Sequence, residues 1–187
     1  MLKKRIGLLN LVFLLDPRAS SVQYHGIASL HSFDANVQKI EGEATSEKGD
    51  LASARGKLQM DVRSIDTHIA KRNEEMFKLL EPEKYPKMYF TLKAALPVKN
   101  VTDDGRVIED LPPGETKCVL KGELTVKGKT APIEGRGKCR ESGSLGWEVT
   151  GEAPVDMKAF GIEPPSVVFI TMNPVVSVKY KLVFKAK

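Results

Sequence analysis

Apolar and polar residues alternate along four long stretches of this chain, which is the pattern of β-strands with one buried face and one face in water. The stretches cover residues 52–62, 118–126, 131–139 and 147–157, and their apolar positions are rich in Gly and Ala. A packed interior is normally filled by branched and aromatic side chains. Small residues on the buried face therefore leave room that other strands must fill or that a guest can occupy. A closed sheet with an open apolar interior would form a ligand cavity.

Further strands and one helix are predicted elsewhere in the chain. Residues 68–80 lack Gly and Pro and carry apolar residues at helical spacing, so they predict an amphipathic helix capped by Asp66 or Thr67. About eight strands at hairpin spacing predict an all-β fold, an antiparallel β-barrel with one α-helix after the long third strand. The long third strand is predicted at 51–65, and the others include one or two short strands within 22–36 and strands at 37–45, 88–96 and 175–184.

The first 21 residues differ from the rest of the chain. A basic start at Lys3–Arg5 is followed by a mostly apolar run, Ile6–Leu15, and then by small residues at Ala19–Ser21. This anatomy predicts a secretory signal peptide over residues 1–21, which would leave a mature domain of residues 22–187. The apolar run is too short for a membrane-spanning helix. The alternative interpretation is an ordinary apolar first strand or helix.

Charge and composition disfavour several classes of function. The net charge of +5 is modest, and lysines such as Lys179, Lys181 and Lys185 alternate with apolar residues instead of forming a dense basic cluster. This arrangement favours solubility and edge protection over a nucleic-acid surface. The three histidines are scattered, and the sequence has no nucleophile elbow and no phosphate loop. We therefore predict no catalytic residues, no metal, no cofactor and no nucleic-acid partner.

Two cysteines, Cys118 and Cys139, permit one disulfide bond. If Gly128-Lys129 forms a two-residue hairpin loop, the two cysteines face each other at a non-hydrogen-bonded position, close enough to be linked. The same register puts every apolar residue of the hairpin on one face. It also has an unfavourable consequence, because like charges then face each other at Glu123–Glu134 and Lys121–Arg136.

A series of motifs runs along the chain: Arg63–Thr67 with Arg72 and Met76, Glu83–Phe90, Gly122–Thr130, Phe160–Ile162 and the valine-rich last strand. In this order and spacing they resemble the YceI-like family over nearly all of the chain after the N-terminal segment. The resemblance implies a lipocalin-like antiparallel barrel that is exported to the periplasm or secreted, and that binds a long polyisoprenoid, such as an isoprenoid quinone, inside the barrel. Where many members carry Arg-Asp-His, this chain has Arg72-Asn73-Glu74.

The predicted ligand is an isoprenoid or quinone-like lipid, held by apolar burial without a polar anchor. Glycines at Gly56, Gly122, Gly135, Gly137 and Gly151 would supply free volume. Met76, Phe77, Met88 and Met157 would give the mouth of the cavity an adaptable shape, and the alternative is that they are ordinary core residues. The predicted ligand-binding residues are Gly56, Leu58, Met60, Met76, Phe77, Phe90, Leu92, Leu120, Gly122, Leu124, Gly135, Val149, Val178 and Tyr180.

Two other classes of function stay open from the sequence. In one, the barrel is completely filled, and the protein is an interaction or structural module of the cell envelope, with the glycines serving strand bending or close packing. In the other, an enzyme acts on a lipid-like substrate in the same cavity. We expect no transmembrane segment, and a homodimer is compatible with every interpretation.

Overall fold

Strands form most of this protein, with one α-helix between them. The computed structural model describes residues 10–29, 31–100, 107–143, 146–167 and 170–187. The helix is α1 (Ala70–Leu80). The strands are β1 (Asn10–Leu15), β2 (Ser21–Ile27), β3 (Ser32–Val37), β4 (Ile40–Glu47), β5 (Arg55–Asp61), β6 (Ile65–Asp66), β7 (Lys87–Pro97), β8 (Glu115–Val126), β9 (Lys129–Glu141), β10 (Gly146–Asp156), β11 (Ser166–Val167), β12 (Ile170–Thr171) and β13 (Val175–Ala186).

Eight strands close into an antiparallel barrel in the order β1, β4, β5, β7, β8, β9, β10 and β13. The ring closes because the end of β13 pairs with β1, while the first half of β13 pairs with β2. β2, β3 and β6 extend the sheet beyond this second pairing. The predicted all-β antiparallel barrel is therefore confirmed. Within the described ranges, no helix is long and apolar enough to span a membrane.

The predicted long third strand at 51–65 is wrong as a continuous element. It is divided into a 3-10 turn at Leu51–Ser53, strand β5, a second 3-10 turn at Val62–Ser64, and the short β6. Each turn is fixed by the carboxylate of the aspartate before it, since Asp50 accepts from the backbone N–H of Ala52 and Asp61 accepts from that of Arg63. Such local side-chain hydrogen bonds compete with the ladder of a strand. Helix α1 therefore follows the short strand β6, whereas the sequence predicted that it follows a long third strand.

The helix begins at Ala70, and neither predicted cap acts as one. Ile69 occupies the N-cap position and makes no side-chain capping bond. Asp66 and Thr67 instead bind the side chain of Asn73, which accepts from the Thr67 hydroxyl at 2.6 Å and donates to Asp66 at 2.9 Å. This bond from Asn73 is the main cause that lowers the pKa of Asp66. The Asn73 side chain makes both bonds because an amide donates and accepts, whereas an ionised carboxylate at this position would only accept.

The predicted disulfide is present, but the predicted register of its hairpin is wrong by two residues. The loop is Lys127-Gly128, both with positive φ, and Cys118 lies opposite Gly137. Cys118 and Cys139 are therefore diagonal neighbours, and their disulfide joins Cα atoms 6.2 Å apart. A shift by two keeps every side chain on its predicted face. The shift also removes the unfavourable pairs, because Lys121 now faces Glu134 and Glu123 faces Pro132.

β1 lies within the segment predicted to be a signal peptide. Its residues pair with β4 on one side and with β13 on the other, and Phe13 and Leu15 are buried in the core. Residues 1–9, the first part of the predicted signal, lie outside the described residues. A cut near Ser21 would remove β1 from the barrel. The cleavage itself stays a prediction.

Candidate ligand-binding cavity

A cavity of about 370 Å³ occupies one half of the barrel interior. Its wall is formed by the apolar faces of β5, β7, β8, β9, β10 and β13, together with residues of β2 and β3. This space, called the main cavity below, is lined almost entirely by carbon, because its strand residues are mostly Leu, Val, Met, Phe and Gly. A concave apolar space of this kind takes an apolar ligand.

Helix α1 covers one end of the main cavity. Met76 and Leu79 of the helix line the cavity and pack against the buried core. Exposed residues, His31, Glu75 and Pro165, also border the cavity at this end. The main cavity therefore reaches the protein surface between α1, the β2–β3 connection and the segment before β11. We call this opening the mouth.

The methionines of the chain are concentrated at the main cavity. The sequence has six of them, and every one after Met1 borders this space. Methionine has a flexible, polarizable side chain that fits irregular apolar shapes. The interpretation of Met76, Phe77, Met88 and Met157 as an adaptable mouth stays a prediction; the three methionines border the main cavity and Phe77 does not. The five methionines are Met60, Met76, Met88, Met157 and Met172.

A second, smaller cavity of about 70 Å³ lies in the opposite half of the barrel. Three aromatic side chains, Phe13, Trp147 and Phe184, border it. The two cavities share a ring of lining residues, which we call the collar. The collar consists of Leu58, Phe90, Leu120 and Leu182.

The structure brings most of the predicted ligand-binding residues together around the main cavity. Three of them, Gly56, Leu92 and Val149, border the second cavity instead. Phe77 and Gly122 border neither of the two cavities. The Phe77 ring faces Arg63, with 5.9 Å between the guanidinium carbon and the ring centroid. The predicted residues that line the main cavity are Leu58, Met60, Met76, Phe90, Leu120, Leu124, Gly135, Val178 and Tyr180.

The wall glycines do not act as predicted, because their space is already occupied. A Cβ atom at Gly122 would lie 2.5 Å from the ring of Phe90. A Cβ atom at Gly135 or Gly151 would lie 2.6 or 2.7 Å from the hydroxyl of Tyr180. The ring of Phe90 thus covers Gly122, and Tyr180 reaches from β13 across β10 to β9. A backbone carbonyl also lies within 2.5 Å of the Cβ position at Gly122, and another lies still closer at Gly151, so close approach of the strands requires glycine there as well. At Gly135 the three nearest atoms all belong to Tyr180, so this glycine leaves room for the tyrosine ring along the wall.

Ionisable groups at the main cavity are either neutral tyrosines or residues of the mouth. Burial raises the pKa of Tyr180 to about 12 and also raises the pKa of Tyr24. The Tyr180 hydroxyl has no hydrogen-bond partner in the part of the chain that the structure describes. Among those same residues, no cluster of His, Cys, Asp or Glu could hold a metal ion. The wall is suited to holding an apolar molecule.

Sequence reasoning missed the wall residues of β2 and β3 and the polar residues of the mouth. Val22, Tyr24 and Gly26 alternate along β2 and all line the main cavity. The sequence contains this period-two signal, but the prediction of one or two short strands within residues 22–36 does not assign these residues to the cavity wall. Arg72 also borders the main cavity, although its charge gave no reason to place it there.

Comparison with known proteins agrees with this architecture. The family model described as the YceI-like domain matches residues 13–184. The chain belongs to the YceI-like domain family. The match begins inside β1 and ends inside β13, so it covers the whole closed ring of the YceI-like barrel. A search of the curated proteins finds no match.

Solved structures share the fold of this YceI-like chain. BcnA of Burkholderia cenocepacia is 18% identical, with a TM-score of 0.72 over 90% of this chain and 98% of its own. A polyisoprenoid binding domain from Saccharophagus degradans, implicated in plant cell wall breakdown, is 16% identical, with a TM-score of 0.69 over 95% of this chain and 99% of its own. The YceI protein of Campylobacter jejuni is 12% identical, with a TM-score of 0.59 over 82% of this chain and 84% of its own. At these identities the likeness is one of fold.

Proposed function

We propose that this protein binds a long-chain polyisoprenoid lipid, an isoprenoid quinone or a similar molecule, in the main cavity and stores or transports it without enzymatic chemistry. The observation that carries the proposal is the cavity of about 370 Å³ with an apolar lining that reaches the surface beside α1. A filled-barrel interaction module, the alternative from the sequence, needs a packed interior instead.

Apolar burial is a sufficient driving force for such a ligand. Removing apolar surface from water is favourable by about 25 cal/mol per Å². A chain of many isoprene units therefore gains affinity with each unit that enters the barrel. The branched, irregular outline of such a chain suits a wall with five methionines, whose side chains adjust to shape.

Three further observations support the proposal. The chain belongs to the YceI-like domain family, and one structural neighbour is described as a polyisoprenoid binding domain. The disulfide Cys118–Cys139 supports a periplasmic or secreted location, since disulfides persist mainly in oxidising compartments. The hydroxyls of Tyr24 and Tyr180 are neutral near pH 7, and burial raises the pKa of both further, so neither puts a charge on the wall of the main cavity.

Extraction of the purified protein with organic solvent, followed by mass spectrometry, tests the proposal. Two matched variants sharpen it, because Ala153 borders the main cavity and Ala44 borders the second cavity. We expect a prenyl lipid from the wild type and from Ala44→Phe, and little or none from Ala153→Phe. Thermal melting of Ala153→Phe and Ala44→Phe checks that both variants fold.

Two results would contradict the proposal. A wild-type protein that releases no prenyl lipid would favour the interaction module. An Ala153→Phe variant that folds and carries as much lipid as the wild type would place the lipid outside the main cavity.

A further inference from the structure

Arg72 lies at the mouth, where the apolar wall meets water. It is the third residue of α1, it is half-buried, and it borders the main cavity. Its guanidinium carbon lies 4.8 Å from the centroid of the Phe33 ring, and Phe33 lines the same cavity. A guanidinium over an aromatic face is held by the ring's negative potential. The position of this positive charge is therefore fixed by the wall of the cavity.

The charge of Arg72 is not neutralised within the part of the protein that the structure describes, where it makes no hydrogen bond or ion pair. Two carboxylates close to Arg72 and Phe33 along the chain already bind other groups. Glu75, one turn further along α1, binds Lys78 at 2.6 Å, and Asp34, next to Phe33 in β3, binds His25 at 2.8 Å. Arg72 thus differs from Arg63, which pairs with Glu83.

Stacking leaves the hydrogen-bonding edge of a guanidinium available. Contact with a ring uses the flat face of the group, whereas its five N–H donors lie in its plane and match two oxygens of a phosphate or carboxylate. Charge-assisted bonds of this kind gain strength beside an apolar wall, where water screens less. A molecule with an apolar tail in the main cavity and an oxyanion head at its mouth would satisfy both features.

We propose that Arg72 anchors the headgroup of the ligand, so that the barrel prefers amphipathic lipids with an oxyanion head over neutral lipids of the same tail. This inference rests on the proposed function, because the tail must lie in the main cavity for the head to reach Arg72. It narrows the proposed ligand from the neutral isoprenoid quinone to a prenyl lipid with an oxyanion head. It adds a polar determinant of specificity that the apolar lining does not supply.

Binding of lipids with one tail and different heads tests the proposal. The probes are geranylgeranyl phosphate, geranylgeranoic acid and geranylgeraniol, each titrated into delipidated protein by calorimetry at low and high salt. We expect the phosphate to bind the wild type at least about tenfold more tightly than the alcohol, the range of a charge-assisted hydrogen bond. The acid should fall between them, and the preference should shrink at high salt.

Two variants assign the preference to one side chain. Arg72→Met keeps an apolar stem and removes the charge, so it should bind all three lipids with the affinity of the alcohol. Arg63→Met removes an arginine that also faces an aromatic ring but borders neither cavity, and it should keep the wild-type preference.

The outcomes separate this inference from the proposed function. Equal affinity of the wild type for the three lipids, or a phosphate preference that survives in Arg72→Met, overturns the role of Arg72 while binding of the alcohol still supports the cavity. A wild-type protein that binds none of the three lipids overturns the proposed function, and the headgroup anchor with it.

Discussion

The half of the barrel beneath α1 and the opposite half share β5, β7, β8, β10 and β13 but are filled differently. Beneath α1, methionines and aliphatic residues surround about 370 Å³ of space. In the opposite half, Phe13, Trp147 and Phe184 leave only about 70 Å³, and the disulfide links β8 to β9.

What differs is where the aromatic rings lie. Tyr180 lies along the wall beneath α1, where a Cβ atom at Gly135 would meet its hydroxyl, and Phe90 of the collar covers Gly122. In the opposite half Phe13, Trp147 and Phe184 border the second cavity. At Gly135 the absence of a Cβ atom thus leaves room for an aromatic side chain against the strand.

Removal of residues 1–21 should have the largest effect, because it deletes β1 from the packed half. The loss of buried Phe13 alone is worth about 3 kcal/mol, and β4 and β13 also lose a pairing partner. Domains are stable by only about 5–15 kcal/mol. We expect no cooperative thermal unfolding in circular dichroism. A truncated chain that melts like the full chain would show that β1 is dispensable and would agree with cleavage near Ser21.

Two glycines of β9 offer a matched pair with different neighbours. A Cβ atom at Gly137 would overlap the backbone carbonyl of Thr150 on β10, which cannot move without separating the strands. At Gly135 it would meet the end of the Tyr180 side chain, which can swing. We expect Gly137→Ala to lower the free energy of unfolding by about 3 kcal/mol and Gly135→Ala by about 1 kcal/mol.

The amount of bound lipid in Gly135→Ala and Gly137→Ala should follow the opposite order from their stability. In Gly135→Ala the displaced Tyr180 side chain enters the main cavity, so this variant should carry less lipid per folded molecule than Gly137→Ala. Chemical denaturation measures the stability, and mass spectrometry of extracts measures the lipid. Equal stability of the two variants would show that the space at these glycines is not occupied as described.

The collar should limit how far a tail enters the barrel. Phe90 is the aromatic member of the collar, and Phe90→Ala would join the two cavities. Because Phe90 is half-buried, we expect a stability loss of about 2 kcal/mol, below the range of fully buried phenylalanines. Extracts of this variant should contain longer prenyl chains than those of Phe90→Leu, which keeps the collar closed. Prenyl chains of identical length from Phe90→Ala and Phe90→Leu would show that the collar does not limit how far the tail enters.

The smallest effect concerns an ion network on β8 and β9. Lys117 and Lys138 face each other across the two strands, and Glu109 binds both, at 2.9 and 2.6 Å. These hydrogen bonds, that from Lys138 first, lower the pKa of Glu109 from 4.5 to about 2. Because the folded state holds the ionised form, the stabilisation is present above pH 4.5 and is lost as the pH falls towards 2.

Melting temperatures of the wild type and Glu109→Gln as a function of pH check this effect. The wild type should melt slightly higher at neutral pH, and the difference should shrink between pH 4.5 and 2. High salt should reduce it as well, since the groups are partly exposed. A difference that grows on acidification would contradict the pairing.

Period-two alternation was enough to predict the barrel and much of its wall. It places Leu58 and Met60, or Leu124 and Val178, on the inner face without knowledge of which strands are neighbours. It also predicted the link between Cys118 and Cys139 despite a register error of two residues. Alternation fixes only the face of each residue, whereas the register depended on Lys127 adopting positive φ, which is uncommon for residues other than glycine.

The interior space was harder to infer, because it depends on contacts between strands far apart in the sequence. Tyr180 covers Gly135 only because β13, β10 and β9 are neighbours in the barrel. Arg72 reaches the mouth because α1 crosses the end of the barrel and meets Phe33 of β3. Neither relation can be derived from local spacing in one sequence.

A crystal structure of the protein purified without detergent tests the central claim, a barrel hollow in one half and packed in the other. The account predicts a continuous chain of electron density in the main cavity, beginning near Arg72 and ending at the collar, with none beyond Phe90. A main cavity filled by the protein's own side chains, or by ordered water alone, would contradict it.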